Sequence, residues 1–564
     1  MPPPTALRSR TPYNFPCVQT STSFRRRLMP DFRLSAALAL ATLMFSAICV
    51  WAQTPAAAIA SAEPSTGHDR ILLVLPFDNR TGQPNLEWMR EAAADLLSRR
   101  FASAGFAPMR RADRLYALDH LGLPEGFQPS RASSLKLAQT LDADSIVVGS
   151  YSLDASGLVA EARVVDVPQL RMSQPVSAHG KLSDMITVFD TLAWELTRQL
   201  DPAFGVAQRT FVAAGQNIRL DAFEQYIRGI TESDQTERLR HLQQAVKLSP
   251  DLSQAWMALG REEFDSQQYE QAAEAFAKVD RSDPDALEAG FYRGLSLLFS
   301  GNYPLAEQVF AEVARTLPLA EVVNNQGVAV SRQGHDGTPL FVQASADDPG
   351  NADYHFNLAV SLARHGNKPA ALNELAQCLK LRPGDAEAQA LQDEWKSPSP
   401  AGAQTAADPL ERIVRSFDAA AFRQAAQVLD QMDAARMAAL SPQERAQKLC
   451  AQARGYLDDG LLLEAERLYQ SAAAADPQSA EADVGLARVR QRSGDLDGAR
   501  REAQAALQLG PSVDAHVLLA QLDLAANHLK EAEDEARSAL KIEPANTGAQ
   551  EILRQIVART GAGK

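Results

Sequence analysis

The chain offers little from which to build a covalent or metal framework. Four cysteines occur in 564 residues, no two of them in C-x-x-C spacing, and only Cys378 and Cys450 lie beyond the amino-terminal 52 residues. That excludes a disulfide scaffold and a thioredoxin-like motif. The sequence has no P-loop, H-E-x-x-H or G-x-S-x-G pattern, which removes the familiar signatures of phosphate, zinc and acyl-transfer chemistry. His355 and His365 stand ten apart without a third ligand at useful spacing. No metal, cofactor or catalytic residue is assigned, and the chain reads as a non-enzyme. Basic residues are also short: the first 52 residues, with six Arg and one Asp, contribute +5 to a net charge of −14, leaving −19 on the rest. A surface that acidic, with no basic stripe, excludes nucleic acid as a partner.

What is present begins with a single long apolar run. "LSAALALATLMFSAICVW" (34–51) follows Arg25, Arg26, Arg27 and Arg33 and ends at Val50-Trp51-Ala52, a small-residue cleavage site before Gln53. This has the form of a secretory signal peptide, with Met29 an alternative start. The run is also just long enough to span a bilayer, so an uncleaved anchor is the second reading. A lipoprotein is disfavoured because Ile48 precedes Cys49 where a small residue is needed. The expected location is therefore the periplasm or cell envelope, by export or by a membrane anchor at 34–51.

The second half of the chain is periodic. Pro250, Pro284 and Pro318 are 34 residues apart, as are Pro349 and Pro383, and Pro477 and Pro511, with Pro544 following at 33. Within one period, "WMALGREEFDSQQYEQAAEAFAKVDRSDP" sets Trp256, Leu259, Gly260, Ala272, Phe276 and Pro284 at fixed offsets, and Gly294, Ala306, Phe310 and Pro318 repeat them. The pattern closely resembles the tetratricopeptide repeat. Its physics is a pair of antiparallel helices brought close by small residues: Gly260 and Gly294 on the first helix, Ala272, Ala306, Ala371, Ala465, Ala499 and Ala532 on the second. Gly301, Gly366, Gly460 and Gly494 fall between helices, where a left-handed cap is expected. Six units read well (253–286, 287–320, 352–385, 446–479, 480–512, 513–546), and three are degenerate (219–252, 321–351, 410–437). "SPSPAGAQTAADP" (397–409) reads as a linker, so two arrays, 219–396 and 410–560, joined by a hinge are expected.

Residues 70–200 lack that period. Continuous apolar runs at 71–75 and 145–149 predict strands buried on both faces. The stretch 158–167 predicts an antiparallel strand with 171–178 as its partner, and 86–101, 131–141 and 182–200 predict helices. An α/β domain with a mixed sheet and flanking helices results, set between linkers at 53–69 and 201–218. Its "LPFDNRTG" and "LDADSIVVGSY" segments resemble the TolB amino-terminal domain and the CsgG- and FlgO-like envelope proteins. That resemblance implies a structural turn at Asp78, Asn79, Thr81 and Gly82 and a role in binding envelope partners. Asp78 and Asn79 are expected to satisfy the turn's own amides.

Stacked helix pairs curve, and their first helices line an inner groove. Carried over from the repeat family, groove positions are Gln254, Met257, Arg261, Phe264 and Asp265 in one unit and Glu288, Phe291, Leu295, Leu298 and Phe299 in the next. The second set is too apolar for a purely solvated face and implies either an extended-peptide site or a dock for another helix. Arg454 and Arg488 recur at the Arg261 position, as grips for ligand carboxylates or as partners of neighbouring acids. The Lys and Asn pattern of a chaperone-type carboxylate clamp is missing, and Asn357 alone does not supply it. The expected function is an exported scaffold that binds proteins or peptides of the envelope, with a membrane-anchored regulator as the alternative. An enzyme with a site in 70–200 is the remote one.

Overall fold

The computed structural model describes residues 71–561 apart from 128–129, 156, 216–217, 398–408 and 418. The leader at 34–51, the linker at 53–69 and most of the linker at 397–409 lie outside the described residues.

The first domain is a mixed sheet between two helical layers. Its strands are β1 (Ile71–Val74), β2 (Asp78–Asn79), β3 (Ala107–Pro108), β4 (Ser145–Asp154), β5 (Gly157–Asp166), β6 (Arg171–Met172) and β7 (Val176–Gly180). The order is β3-β1-β4-β5-β6, with β2 also on β4 and β7 also on β5. β1 runs parallel to β3 and β4, whereas β4 and β5 form an antiparallel hairpin. Pro76, which has no amide hydrogen to donate, separates β1 from β2, and both lie along β4.

Alternation along β1 shows why a continuous apolar run is needed here. Leu72 and Val74 face α1 (Met89–Ser103) and α4 (Met185–Leu200), while Leu73 and Leu75 face α2 (Arg111–His120) and α3 (Arg131–Thr140). α2 has no counterpart in the sequence reading. Its buried face is Ala117 and Leu118 beside Arg114, too few apolar residues to set a period. The turn after β1 is organised by Asn79, whose Oδ1 accepts from the Thr81 amide at 3.0 Å and whose Nδ2 donates to the Gln83 carbonyl at 3.1 Å. Gly82 sits at φ 69°, a conformation glycine adopts without strain. Asp78, expected to share the capping, instead extends β2 opposite Ser150.

Residues 201–218 are more than a linker. They carry α5 (Gln208–Ala213), whose Phe211 is fully buried in a core that continues from the sheet into the first helical hairpins through Phe223, Ile227 and Leu242.

Helical hairpins follow. The glycine positions do what the periodicity implies: a Cβ on Gly260 would lie 2.8 Å from the Phe276 ring, and one on Gly294 would lie 2.6 Å from Phe310. The ring of the second helix therefore sits directly on the glycine of the first. The degenerate unit 321–351 keeps this lock, with Phe341 2.8 Å from a Cβ on Gly327. Gly301, Gly366, Gly460 and Gly494 all have φ near 80° (79–81°) and end the first helix of their hairpins.

The two arrays are joined by more than a hinge. The second folds back on the first domain: Glu466 accepts from the Ala207 amide at 2.9 Å, Arg467 donates to the Ser103 carbonyl at 3.1 Å, and Arg209 donates to the Gly494 carbonyl at 3.0 Å. Leu463 joins the core of the first domain. Residues 410–417, read as the start of a degenerate repeat, form no helix; the helix Ala419–Ala438 begins after them.

Candidate functional site

The concave face of the first array is built from the leading helices Ala286–Phe299, Ala320–Arg332 and Ala352–Arg364. Asn325 and Asn357 stand two residues before Gly327 and Ala359, the small positions of their helices, and Phe291 stands three before Gly294. They meet residues 409–417 of the same chain, "PLERIVRSF", lying extended along the face.

Asparagine side chains hold the main chain of this segment. Asn357 donates from Nδ2 to the Arg412 carbonyl at 2.8 Å and accepts the Arg412 amide at 2.6 Å. Asn325 does the same for Val414, at 2.8 Å and 3.0 Å. Alternate residues are gripped, as the two-residue period of an extended chain requires. Asn324 links the two rungs, donating to Asn325 Oδ1 and to the Arg412 carbonyl and accepting from Asn357. All three asparagines are fully buried, so each amide needs these partners. Mid-helix asparagine is a poor helix former, and here its side chain is committed to a bound backbone.

Side chains of the segment enter pockets of opposite charge. Glu411, with a fully buried side chain, is met by Ser331, Arg332 and Arg364; Arg332 Nε reaches Oε2 at 3.0 Å. Arg412 forms a two-pronged bond with Asp385 at 2.6 and 2.8 Å, reaches Asp353 at 3.0 Å and Glu387 at 2.9 Å, and lies 3.6 Å over the Phe356 ring. The hydrogen bonds from Arg412 hold the Asp385 carboxyl down at about 2. Ile413 and Phe417 pack on the cluster containing Phe291, Leu295 and Leu298, and Val414 packs beside Val323, Ala344 and Tyr354. The Phe417 and Phe291 ring centres are 5.5 Å apart.

The residues expected to line the groove divide accordingly. Phe291, Leu295 and Leu298 are buried beneath the segment, and Phe299 carries Arg415 over its ring at 5.0 Å. The apolar set is covered by Ile413, Arg415 and Phe417 of the chain itself. Glu288 is closed off by Arg110 of the first domain and by Arg261. Gln254 and Met257 are buried, and Phe264 belongs to an aromatic cluster with Tyr269, Tyr292 and Phe299. Glu288 thus meets the first domain, whereas Met257 and Phe264 pack within the array, and Asp265 is exposed.

In the second array Arg454 and Arg488 line one open cavity of about 340 Å³ with Arg492, Asp514, Leu518 and Gln521. Both are paired across neighbouring units, Arg454 with Glu481 at 2.5 Å and Arg488 with Asp514 at 2.9 Å. Sequence reasoning missed Asn324, Asn325, Arg332, Asp353, Arg364 and Asp385. The available signal was buried-helix asparagine recurring one unit apart, in "VVNNQ" and "YHFNLA".

Other reactive groups are structural. Burial pushes the Cys378 and Cys450 thiols up to about 11. His355 and His365 bond to Glu374 and to the Ser361 carbonyl, and no group that could hold a metal ion occurs among the described residues. Burial pushes Asp190 up to about 6 although Arg100, 2.9 Å away, pulls it down, and the carboxylate lies fully buried beneath Gly215.

Residues 257–321, 331–386, 450–512 and 484–547 match the family model of the tetratricopeptide repeat. Over those residues the hairpins match tetratricopeptide repeats. Among solved structures, the chain is similar to YrrB, a TPR protein with an unusual peptide-binding site, at 17% identity over 36% of this chain and 99% of that one, with a TM-score of 0.28. It is also similar to MamA, at 16% identity over 29% of this chain and 96% of that one (TM-score 0.27). For MamA from Desulfovibrio magneticus RS-1 the identity is 21% over 31% and 99%, with a TM-score of 0.27. No curated protein matches the chain.

Proposed function

We propose that the protein is a non-enzymatic scaffold of the cell envelope that holds extended segments of partner proteins in the concave face of its first repeat array. The observation that supports this is the asparagine pair Asn325 and Asn357, which binds a main chain through both its amide and its carbonyl. Such bonds are made whatever the side chains are, and an extended peptide is the ligand they fit. Export is supported by the arginine-flanked run at 34–51 and the site before Gln53, and docking in the envelope by the TolB- and CsgG-like segments of the first domain.

The test uses the full chain with residues 409–417 replaced by a glycine–serine stretch of equal length. The free peptide PLERIVRSF binds this emptied groove, and adding Asn325→Ala with Asn357→Ala weakens it by about 100-fold, as expected when four main-chain hydrogen bonds are lost. Fluorescence anisotropy of the labelled peptide reads the result. An emptied groove that takes up no peptide sinks the proposal.

A second reading is a membrane-anchored regulator, favoured by the length of the apolar run at 34–51. Among the described residues no helix is long and apolar enough to cross a membrane, so this reading rests on the leader alone. Mass measurement of the mature amino terminus separates the two: a start at Gln53 removes the anchor.

A further inference from the structure

We infer that residues 409–417 are a built-in competitor, and that the partner they stand in for is a protein presenting an extended Glu-Arg pair followed by two apolar residues and, three positions beyond them, an aromatic one. The inference rests on the proposed peptide-binding role and adds to it the sequence that the groove reads and the state in which it rests.

The recognition is carried by charge complementarity in register. Glu411 and Arg412 are adjacent, and an extended chain points adjacent side chains in opposite directions. The groove answers each with its own wall. Arg332 and Arg364, with Ser331, surround the carboxylate on one side. Asp353, Asp385 and Glu387 surround the guanidinium on the other, with Phe356 beneath it. Reversing the order to Arg-Glu would put an arginine among arginines and a glutamate among three carboxylates. Like charges so placed are rejected strongly, which is how a groove that holds backbone generally can still discriminate by sequence. The apolar positions add a second requirement. Ile413 and Phe417 seat on the Phe291 cluster and Val414 on the Val323 cluster, whereas Leu410 is largely exposed and carries no information.

The arrangement is that of a replaceable ligand. Residues 409–417 belong to neither repeat array, form no helix, and are separated by only eleven residues, 398–408, from Ser397, which ends the closing helix of the array they occupy. A ligand tethered so closely acts at an effective concentration on the order of millimolar. A free partner therefore meets a groove that is closed most of the time, and its apparent affinity falls by the fraction of groove that is open. Only a partner with the same chemistry, presented in several copies or at high local concentration, opens it. A permanent strut would be indifferent to free peptide.

Three measurements test this. In the first, labelled PLERIVRSF is titrated against the wild-type chain and against the chain with residues 409–417 replaced by glycine–serine. We expect binding at least about tenfold tighter to the emptied chain, and at least about tenfold weaker binding there for PLREIVRSF, in which the charged pair is exchanged. Equal affinity for wild-type and emptied chains overturns the competitor. Equal affinity for the two peptides overturns the code while leaving general peptide binding intact. An emptied groove that binds neither peptide overturns the proposed function as well. The second measurement needs no variant. Hydrogen exchange on the wild-type chain shows the Arg412 and Val414 amides protected, and saturating PLERIVRSF removes that protection. Protection that survives saturating peptide makes the segment a fixed strut. A concentration-dependent dimer, seen by mass, that disappears in the emptied chain would give the groove to a second copy instead of a partner.

Discussion

In the first array the residues two before Gly327 and Ala359 are Asn325 and Asn357; in the second, the corresponding places, two before Ala487 and Ala520 in Ala480–Arg492 and Val513–Ala525, are held by Gly485 and Leu518. Gly485 is spent on packing, since a Cβ there would lie 2.1 Å from the Tyr469 ring. Neither residue can grip a peptide backbone. The two concave faces thus share one hairpin design and differ in what a single column presents. The first is filled by nine residues of chain, and the second is an open hollow lined by arginines already paired to their neighbours. The repeat supplies curvature and a column of positions. Binding is written into those positions separately, and a repeat signature does not disclose whether it has been.

The sharpest break would come at Phe291. Read from sequence, Phe291 and Leu298 are groove residues, and Phe291→Asp with Leu298→Asp is the natural variant to weaken capture without touching the fold. In the structure Phe291 is 0% exposed and Leu298 4%, and Phe291 meets Phe310, Tyr292 and Phe417. A carboxylate there has no partner, and the loss of the ring adds a cavity, together about 4 kcal/mol or more. Phe291→Asp alone is therefore expected to unfold the first array, seen as a large loss of midpoint in urea denaturation. A variant with native helical content and only the segment released would show Phe291 to be a surface residue, making the first face as open as the second.

Much of this architecture is legible in the sequence, because spacing carries it. Gly260, Gly294, Ala272 and Ala306 recur at intervals that only a close helix pair explains, and the apolar run of β1 announces a strand covered on both sides. The binding column is not legible by the same route. Asn325 and Asn357 look like weak helix residues until their bonds to Arg412 and Val414 are seen. Their partner lies up to 89 residues away along the chain, beyond a linker that no periodicity spans. The second array's return to the first domain through Glu466 and Arg467 is hidden for the same reason: pairs between distant surfaces leave no local pattern. The first domain lies between these cases, with its strands readable from apolar runs and α2 unreadable from a face of so few apolar residues.

Acid sharpens the comparison further. Asp385 titrates near 2 in the folded chain, held down chiefly by hydrogen bonds from Arg412, against about 3.9 when unfolded. A depressed carboxyl contributes stability that is complete above the unfolded value and is lost as pH falls through the folded one. The contribution is on the order of 2 kcal/mol. The clamp on Arg412 is therefore expected to persist from pH 7 to pH 4 and to fail between about pH 4 and pH 2. Hydrogen exchange at the Arg412 and Val414 amides, corrected for the pH dependence of intrinsic exchange, follows it. Release near pH 5 would show that Asp385 does not hold the arginine, and would make this pair as dispensable as those of the second face.

The smallest effect is expected where the second face is probed. Arg454 and Glu481 have side chains 54% and 46% exposed, and Arg488 and Asp514 are 36% and 63% exposed. Water solvates both members of each pair, and the entropy lost in holding long side chains offsets most of the attraction, leaving about 0.5 kcal/mol or less per pair. Arg454→Ala and Arg488→Ala should each leave the urea midpoint nearly unchanged. The matching variant of the first face is Arg364→Ala. It deprives Glu411, whose side chain is fully buried, of one of its two guanidinium partners, and a buried charge left short of partners costs far more than an exposed one. The segment should then leave the groove, and the Arg412 and Val414 amides should lose protection while the second array keeps its stability. If Arg488→Ala instead proved as damaging as Arg364→Ala, the hollow of the second array would have to be shielded from water, and the contrast between a filled face and an open one would fail at its cheapest test.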